Sequence, residues 1–156
     1  MRRKEREITD HELISEIITD CHCIRLGFYD EGKVYIVPLN FGHLEKEDKH
    51  IFYFHGAKEG RKIDLIAKNE PVGFEMDTHY KLNKGPTACN YSARYRSIIG
   101  SGVVSFVEDI KEKEEGLQLL MKHNTGKGDW EFTEKMVQSV CVFKLEVTEL
   151  SCKEHK

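Results

Sequence analysis

The first regular pattern along the chain is helical. Thr9 and Glu12 stand three residues apart, as in a capping box, and an apolar stripe with helical spacing follows them. The stripe consists of Leu13, Ile14, Ile17 and Ile18. This pattern predicts an amphipathic helix over residues 10–19. Helical spacing returns at residues 57–69 and stops before Pro71, which predicts a second helix there.

The remaining apolar runs are short and rich in β-branched and aromatic residues, which is typical of strands. They predict strands at residues 23–29, 34–41, 51–54, 72–77, 95–107 and 141–148. Several of these runs are apolar on both faces, as in barrel strands that a helix or a partner subunit covers. The order of strands, mostly connected as hairpins, predicts a mainly β fold: an antiparallel barrel with appended helices.

Residues 79–94 show no period and contain a Gly-Pro pair, so they are predicted to form a long loop. A loop of this length in a compact domain is usually functional or lies at an interface. It holds Cys89 and Tyr91, for which a role in lining a pocket and a plain loop role both stay open. Trp130 either covers a ligand in such a pocket or anchors a short helix.

A chain of 156 residues with 39% hydrophobic residues is expected to form a single domain. We expect residues 1–8 to be a charged arm and residues 151–156 to be a disordered tail. The net charge of −3 gives no general basic field, so nucleic-acid binding is not predicted.

No apolar run reaches the roughly 20 residues that span a bilayer. The N-terminus lacks the apolar core of a signal peptide, so a cytoplasmic protein without membrane contact is predicted.

The five cysteines form no CxxC motif, and their odd number does not indicate a disulfide framework. Cys21, His22 and Cys23 are residue types that bind metals. On a strand, however, His22 points away from the two cysteines, and no second ligand pair stands at the spacing of a zinc finger. No metal site is therefore predicted.

The strongest candidate for binding chemistry is the segment Phe54-His55-Gly56-Ala57-Lys58-Glu59-Gly60-Arg61-Lys62. A strand ends at His55, two glycines follow, and a helix begins near Arg61. Cations in a first helical turn oppose the positive end of the helix dipole, at a cost of up to about 1 kcal/mol. A bound phosphate reverses this effect, because free backbone N–H groups, Arg61 and Lys62 would all face one anion. The alternative is an exposed, solvated helix start.

Pro38 gives a second indication, because proline cannot donate a hydrogen bond in a sheet and occurs on edge or interrupted strands. Around it, Val37-Pro38-Leu39-Asn40 would have free backbone amides that suit a planar ring with polar edges. A simple edge strand without a ligand is the alternative. His55 is a candidate proton donor, since imidazole titrates near neutral pH, or else it only orients the loop.

Four segments, in this order, resemble the nitroimidazole-resistance (Nim-type) proteins of the pyridoxamine phosphate oxidase-like, flavin-binding family. They are residues 1–10, MRRKEREITD; residues 35–42, YIVPLNFG; residues 54–64, FHGAKEGRKID; and residues 95–100, YRSIIG. The similarity extends from the N-terminus to about residue 150. It implies a split β-barrel and a homodimer with two flavin sites at the subunit interface.

The resemblance also implies which residues bind the flavin. Gly60–Lys62 correspond to the phosphate site, the backbone of Val37–Asn40 lies along the isoalloxazine ring, and Phe54 and His55 flank the ribityl chain and ring. Tyr95 stands where related oxidases have a glutamine that hydrogen-bonds the cofactor, and Ser97 shares its strand face. The implied cofactor residues are Val37, Pro38, Leu39, Asn40, Phe54, His55, Gly56, Ala57, Gly60, Arg61, Lys62, Tyr95 and Ser97.

On this basis we expect an FMN-dependent oxidoreductase that acts on a small molecule, with FAD as the alternative cofactor. Reduction of nitroaromatic or nitroimidazole compounds is the activity associated with the family. The basic residues that bind the substrate phosphate in pyridoxamine phosphate oxidases are not recognisable near the C-terminus, so oxidation of vitamin B6 is not expected. The alternative function is a flavin- or haem-binding module without turnover, with His55, His79 or Cys89 as haem ligand.

Overall fold

The computed structural model describes residues 3–156 and arranges them around one antiparallel sheet. In chain order the elements are β1 (Glu7–Ile8), α1 (His11–Asp20), β2 (Ile24–Asp30), β3 (Lys33–Leu39), β4 (Gly42–Lys46), β5 (Lys49–Gly56), α2 (Arg61–Ala67), β6 (Pro71–Asn83), β7 (Ser92–Phe106), α3 (Ile110–Thr125), α4 (Glu134–Ser139) and β8 (Cys141–His155). Short 3₁₀ turns occur at Lys4–Arg6 and Ala88–Asn90. The prediction of a mainly β fold with appended helices is confirmed.

Helix α1 follows the predicted apolar stripe. Its buried residues are Ile14, Ile17 and Ile18. The helix is capped by Asp10, whose carboxylate accepts a hydrogen bond from the Leu13 N–H at 2.9 Å. The capping residue is therefore Asp10 and not Thr9. Aspartate one position later satisfies the same kind of free N–H group at the helix start.

The strands are ordered β3–β2–β6–β7–β8–β5–β4, and β1 pairs with β8 outside this path. All of these pairings are antiparallel. Strand β8 pairs with β7 along most of its length and with β5 through Cys141–Glu146. It thereby joins the two halves of the sheet. The inward side chains form one large core that includes Phe41, Phe52, Phe74, Ile98 and Phe143.

Strand β7 is irregular near Gly100 and Gly102. Its pairing with β8 shifts register between Ser101 and Gly102. A Cβ atom on Gly100 would lie 2.6 Å from the ring of Phe74, which is closer than non-bonded atoms approach. The missing side chain therefore makes room for a core ring, beside a bulge that bends the strand.

The predicted loop at residues 79–94 is wrong, because half of this segment is strand. β6 continues to Asn83 and β7 begins at Ser92, which leaves residues 84–91 as the tip of a long hairpin. Residues 79–82 are exposed. Strands that bury neither face carry no apolar alternation, so the sequence pattern does not reveal them.

The expected disordered tail at residues 151–156 is also wrong. Strand β8 runs to His155 and pairs with β7 along this segment. Cys152 is buried and lies opposite Ile8 on one side and Ile98 on the other. The segment is ordered by pairing with residues distant in sequence, and its own residues have no periodic pattern that would indicate this.

The last two residues of the expected charged arm at residues 1–8 are part of the sheet. Glu7 and Ile8 form β1, opposite Lys153 and Cys152 of β8. Residues 1 and 2 lie outside the described residues, so the prediction stays untested there. The N-terminal segment is therefore attached to β8, which corrects the expectation of a solvated arm up to residue 8.

Helix α3 lies directly on β4. A Cβ atom on Gly42 would stand 2.4 Å from the backbone nitrogen of Leu120, so only glycine permits this contact. The helix begins after the N-cap Asp109 and ends at Gly126, which has a φ of +76°. Among residues 3–156, no helix is long and apolar enough to cross a membrane.

A pair of histidines lies between β4 and β5. His43 Nε2 and His50 Nδ1 are 2.9 Å apart, and the two rings stack with centres separated by 5.1 Å. Burial, and secondarily the neighbouring His50, lowers the pKa of His43 to about 4. Burial also lowers the pKa of His50. The pair is therefore uncharged at neutral pH.

Removal of residues 151–156 is expected to destabilise the protein. The truncation deletes buried Cys152, its pairing with β1 and β7, and the ion pair between Glu154 and Arg96 at 2.9 Å. A lost buried side chain and several lost hydrogen bonds correspond to about 3 kcal/mol or more. Urea unfolding measures the change, with a chain that lacks only Lys156 as control. Equal unfolding midpoints for all three chains would contradict the strand.

Candidate functional site

The candidate phosphate segment forms the turn between β5 and α2. Gly60 is the N-cap of α2 with a φ of +119°, a conformation that favours glycine, and no side chain caps the helix. The N–H groups of Ile63 and Asp64 bond to the Gly60 carbonyl. Those of Arg61 and Lys62 have no acceptor within residues 3–156. Two donors are therefore free at the helix start.

Lys62 is a half-buried cation that forms no ion pair with the described residues. Its Nζ lies 5.3 Å from the centre of the Phe143 ring and would be 3.2 Å from a Cβ atom on Gly56. Desolvation by burial lowers the pKa of the ammonium group. A partly desolvated charge without a counter-ion is unfavourable, so this position suits an anion.

Arg61, although adjacent in sequence, has a different partner. Its Nε and Nη2 donate to Asp30 Oδ2 at 3.0 and 2.8 Å, and its guanidinium carbon lies 4.5 Å from the centre of the Tyr35 ring. Lys68 Nζ donates to Asp30 Oδ1 at 3.3 Å. The hydrogen bond from Arg61 is the main cause that lowers the pKa of Asp30. Asp30 therefore holds both ends of α2, a role that no local sequence pattern reveals.

Of the residues expected to flank the cofactor, Phe54 is buried and His55 is exposed. Phe54 stacks on Phe143 with ring centres 5.1 Å apart. It therefore supports the ring beneath Lys62 and does not face solvent. Gly56 ends β5 and Ala57 follows in the turn. The side chain of His55 makes no hydrogen bond within the described part of the chain, so it is available to a ligand.

Pro38 lies on β3, which is an edge strand of the sheet, as predicted. Val37 and Leu39 are half-buried, whereas Pro38 is exposed. On the side away from β2, β3 has no strand partner among the described residues, so backbone groups there are open. Asn40 is differently engaged, because its amide donates to a backbone carbonyl and to Asn124 Oδ1, both at 3.1 Å.

Tyr95 and Ser97 lie near the start of β7, far along the strand from Phe106, which pairs with Phe143. At roughly 3.3 Å per residue, the strand between Ser97 and Phe106 extends for roughly 30 Å. The Tyr95 ring instead packs edge-on against His155, with ring centres 6.0 Å apart. Within one chain, Tyr95 and Ser97 are therefore separated from the predicted phosphate segment.

Tyr95 and Ser97 share the outward face of the sheet with an exposed apolar patch. Strand registers place its residues on one face. This outer patch consists of Tyr29, Val34, Ile36 and Ile99, which are 61%, 72%, 63% and 51% exposed. Gly27 and Gly73 lie opposite each other on the same face and leave it without side chains there. The ion-paired Arg25, Glu75 and Asp77 lie on the same face beside these residues. Large exposed apolar side chains with such a polar border mark an interaction site.

Cys141 is a residue of this region that was not predicted. It pairs with Gly56 across β5 and β8, and the charge of Lys62 acts on its thiol. Burial nevertheless raises the pKa of Cys141. Only the register between two strands distant in sequence places it here, so no local pattern could have identified it.

Three other candidate residues lie elsewhere. Trp130 Nε1 donates to the Lys127 carbonyl at 2.8 Å, and its backbone N–H donates to Gln118 Oε1 at 3.1 Å. These bonds fit the anchoring role. Cys89 and Tyr91 are exposed at the tip of the β6–β7 hairpin, where one chain gives them no pocket.

A family model for pyridoxamine 5'-phosphate oxidase matches residues 10–154. The chain belongs to the pyridoxamine 5'-phosphate oxidase family. Within this family, it is similar to a protein from Bacteroides thetaiotaomicron that is named for 5-nitroimidazole antibiotic resistance. The two are 32% identical over 95% of this chain and 86% of the other, with a TM-score of 0.80. The resemblance to Nim-type proteins is thereby confirmed.

Two more distant structures share the fold of the family. The flavocytochrome Anf3 from Azotobacter vinelandii is 19% identical, with coverage of 100% and 72% and a TM-score of 0.80. The FAD and heme binding protein from Mycobacterium smegmatis is 15% identical, with coverage of 97% and 74% and a TM-score of 0.83. The predicted split β-barrel is confirmed. No curated protein sequence matches the chain.

Lys62→Met is expected to raise the free energy of unfolding of the ligand-free protein. Methionine keeps the contact with Phe143 and removes a partly desolvated charge, a gain of at most about 1 kcal/mol after solvent screening. Arg61→Met is the matched control and should lower stability by up to about 1 kcal/mol, because it breaks the contact with Asp30. Urea unfolding measures the free energy of unfolding of both variants and of the wild type. A loss in both variants would mean that Lys62 is structural.

Proposed function

We propose that the protein is a flavin-binding oxidoreductase with FMN as its cofactor. The observation that carries the proposal is Lys62, a half-buried cation without an acidic partner among the described residues, next to two free backbone N–H groups. A phosphate group would provide the missing negative charge and accept hydrogen bonds from the backbone. Membership of the family supports a flavin as the molecule that carries this phosphate.

Arg61 has a different role from Lys62 in this proposal. Its two bonds to Asp30 fix the first turn of α2, while Nη1 has no partner within residues 3–156. That nitrogen can still donate to a phosphate. Direct recognition is therefore assigned to Lys62 and the backbone, and Arg61 positions the helix start and adds one donor. FAD would use the same phosphate site and is the alternative cofactor.

A second copy of the chain completes the site in our proposal. Tyr95 and Ser97 are separated along β7 from the phosphate segment, yet they lie on the outward face that carries the outer patch. Ile36 of that patch directly precedes Val37–Asn40, whose edge is open for the ring. A copy that covers the patch therefore also borders the ring site. A two-fold dimer repeats the contact and forms two equal sites.

The flavin, when bound, supplies the electron transfer. The residues of the chain bind its phosphate, line its ring and hold a proton source nearby. His55 is exposed at the end of β5, so it is the candidate to donate a proton to a reduced substrate. We propose a small nitroaromatic compound as substrate, supported by the 32% identity to the protein named for 5-nitroimidazole resistance.

A flavin- or haem-binding module without turnover is the second candidate, because one structural neighbour is a flavocytochrome and another binds FAD and heme. His55 and Cys89 are exposed, whereas His79 pairs with Asp20 at 3.0 Å. The absorbance spectrum of the purified protein separates the candidates, since haem gives an intense Soret band. Anaerobic reduction with NADH or NADPH, followed by a nitroimidazole, then tests turnover. A reduced flavin that the nitroimidazole does not reoxidise would argue against reductase activity.

Lys62→Met should weaken FMN binding by roughly ten- to a hundredfold, the value of one charge-assisted hydrogen bond. Riboflavin has the same ring and no phosphate, so its affinity should stay unchanged. Arg61→Met should have a smaller effect on FMN, and Lys58→Met, an exposed cation of the same turn, should have none. Quenching of flavin fluorescence measures all four proteins. Equal losses for FMN and riboflavin would show that Lys62 shapes the loop and does not contact the phosphate.

Ile36→Asp should convert a dimer into a monomer, because it places a charge in the apolar part of the proposed interface. It should also weaken FMN binding, although Ile36 is not part of the phosphate segment. Met136→Asp is the control, since Met136 is 50% exposed but lies on α4, outside the outer patch. Light scattering gives the mass of each. A wild-type protein that is monomeric at micromolar concentration would refute the shared site.

A further inference from the structure

A second cluster of polar side chains lies at the other end of β5, where α1 begins beside the β4–β5 hairpin. It consists of His11, the first residue of α1, Glu45 of β4, and Asp48 in the turn that follows. One ligand atom from each residue lies within 4.8 Å of the other two. These three residues, from two separate segments of the chain, are called the His11 cluster below.

We propose that the His11 cluster binds a divalent transition-metal ion, with zinc as the best match. An imidazole and two carboxylates are ligands that Zn²⁺ accepts, at bond lengths of about 2.0–2.2 Å, which place the ligand atoms roughly 3.5 Å apart. The three side chains are exposed, so small rotations bring their atoms to that separation. The imidazole argues against Mg²⁺ and Ca²⁺, which prefer oxygen ligands.

The carboxylates of the His11 cluster form no ion pair within residues 3–156. Among residues 3–156, no lysine, arginine or histidine forms an ion pair with Glu45 or Asp48. The ring nitrogen of His11 therefore lies within 4.8 Å of both carboxylates but forms no ion pair with either of them. Two negative groups and an imidazole around a common point are stabilised by a cation between them.

Glu45 is held toward the cluster by a neighbouring hydroxyl. Ser15 Oγ donates a hydrogen bond to Glu45 Oε2, and Ser15 is one helical turn after His11 on the same side of α1. Metal-binding carboxylates commonly have such hydrogen-bonded partners, which fix their orientation. The bond therefore fixes the orientation of the Glu45 carboxylate in the absence of an ion.

A buried histidine borders the cluster on its inner side. His50 is 6% exposed and pairs with Glu45 across β4 and β5, so both side chains lie on one face of the sheet. Its Nδ1 bonds to His43, while its Nε2 has no hydrogen-bond partner among the described residues. The charges of Glu45 and His11 both act on the ring. No buried side-chain nitrogen among the described residues lacks a partner, so this Nε2 keeps contact with solvent and is a further donor for the ion or for its bound water.

The bound ion would connect the first turn of α1 to the β4–β5 hairpin, and the proposal is independent of flavin binding. Calorimetric titration of the full, reduced chain with ZnCl₂ at neutral pH tests it. We expect one saturable zinc site per chain, and a thermal unfolding midpoint that rises with zinc because the ion binds the folded state. MgCl₂ at the same concentration should give neither effect.

Two substitutions in the cluster and two matched controls locate the site. His11→Ala and Glu45→Gln should each weaken zinc binding at least tenfold, and Ser15→Ala should weaken it less. Glu47→Gln, an exposed carboxylate in the same turn, and His22→Ala, an exposed histidine elsewhere, should leave the affinity unchanged. Wild-type affinity in both His11→Ala and Glu45→Gln would overturn the proposal. So would the absence of saturable binding in the wild type, or its loss in His22→Ala.

Discussion

The rest of the structure depends on the backbone pairing of β8. This strand pairs with β7, with β5 and with β1, so its hydrogen bonds connect parts of the chain that are otherwise distant in sequence. It also places two side chains of the candidate site. Phe143 lies beneath Lys62, and Cys141 lies opposite Gly56. The geometry of the site is thus set by a strand more than 70 residues after the turn that carries the cations.

Arg61 and Lys62 show why two adjacent cations need not serve one ligand equally. Consecutive residues on a helix point about 100° apart. Arg61 therefore turns to Asp30 and Tyr35, whereas Lys62 turns to Phe143 and the glycine turn. A carboxylate at the end of β2 satisfies one cation and leaves the other without a countercharge. This difference in neighbours gives the two residues separate roles in positioning and in binding.

Local patterns in the sequence predicted the features that local physics determines. The stripe of Ile14, Ile17 and Ile18 predicted α1, and the missing backbone N–H of Pro38 predicted an edge strand. The features that were missed depend on strand register between distant segments. The end of β8, the long β6–β7 hairpin and Cys141 are of this kind.

The candidate site, like the fold, was predictable only where local sequence signals determine it. The sequence indicated the turn, its glycines and its two cations, because strand end, glycine and helix start are local signals. The role of Asp30 and the separation of Tyr95 from the turn were not predictable, since both depend on how strands lie side by side. The His11 cluster was not visible for the same reason: 34 positions separate His11 from Glu45.

The two edges of the sheet differ in how they prevent uncontrolled association of chains. An open strand edge can extend into a neighbouring molecule and begin aggregation. At β4 this edge runs into Glu45-Lys46-Glu47-Asp48-Lys49, a charged run that repels an added strand. At β3 the barrier is Pro38, which offers no N–H to a neighbour although Val34 and Ile36 are exposed beside it. The β3 edge is therefore the one at which a newly made chain is most vulnerable to aggregation.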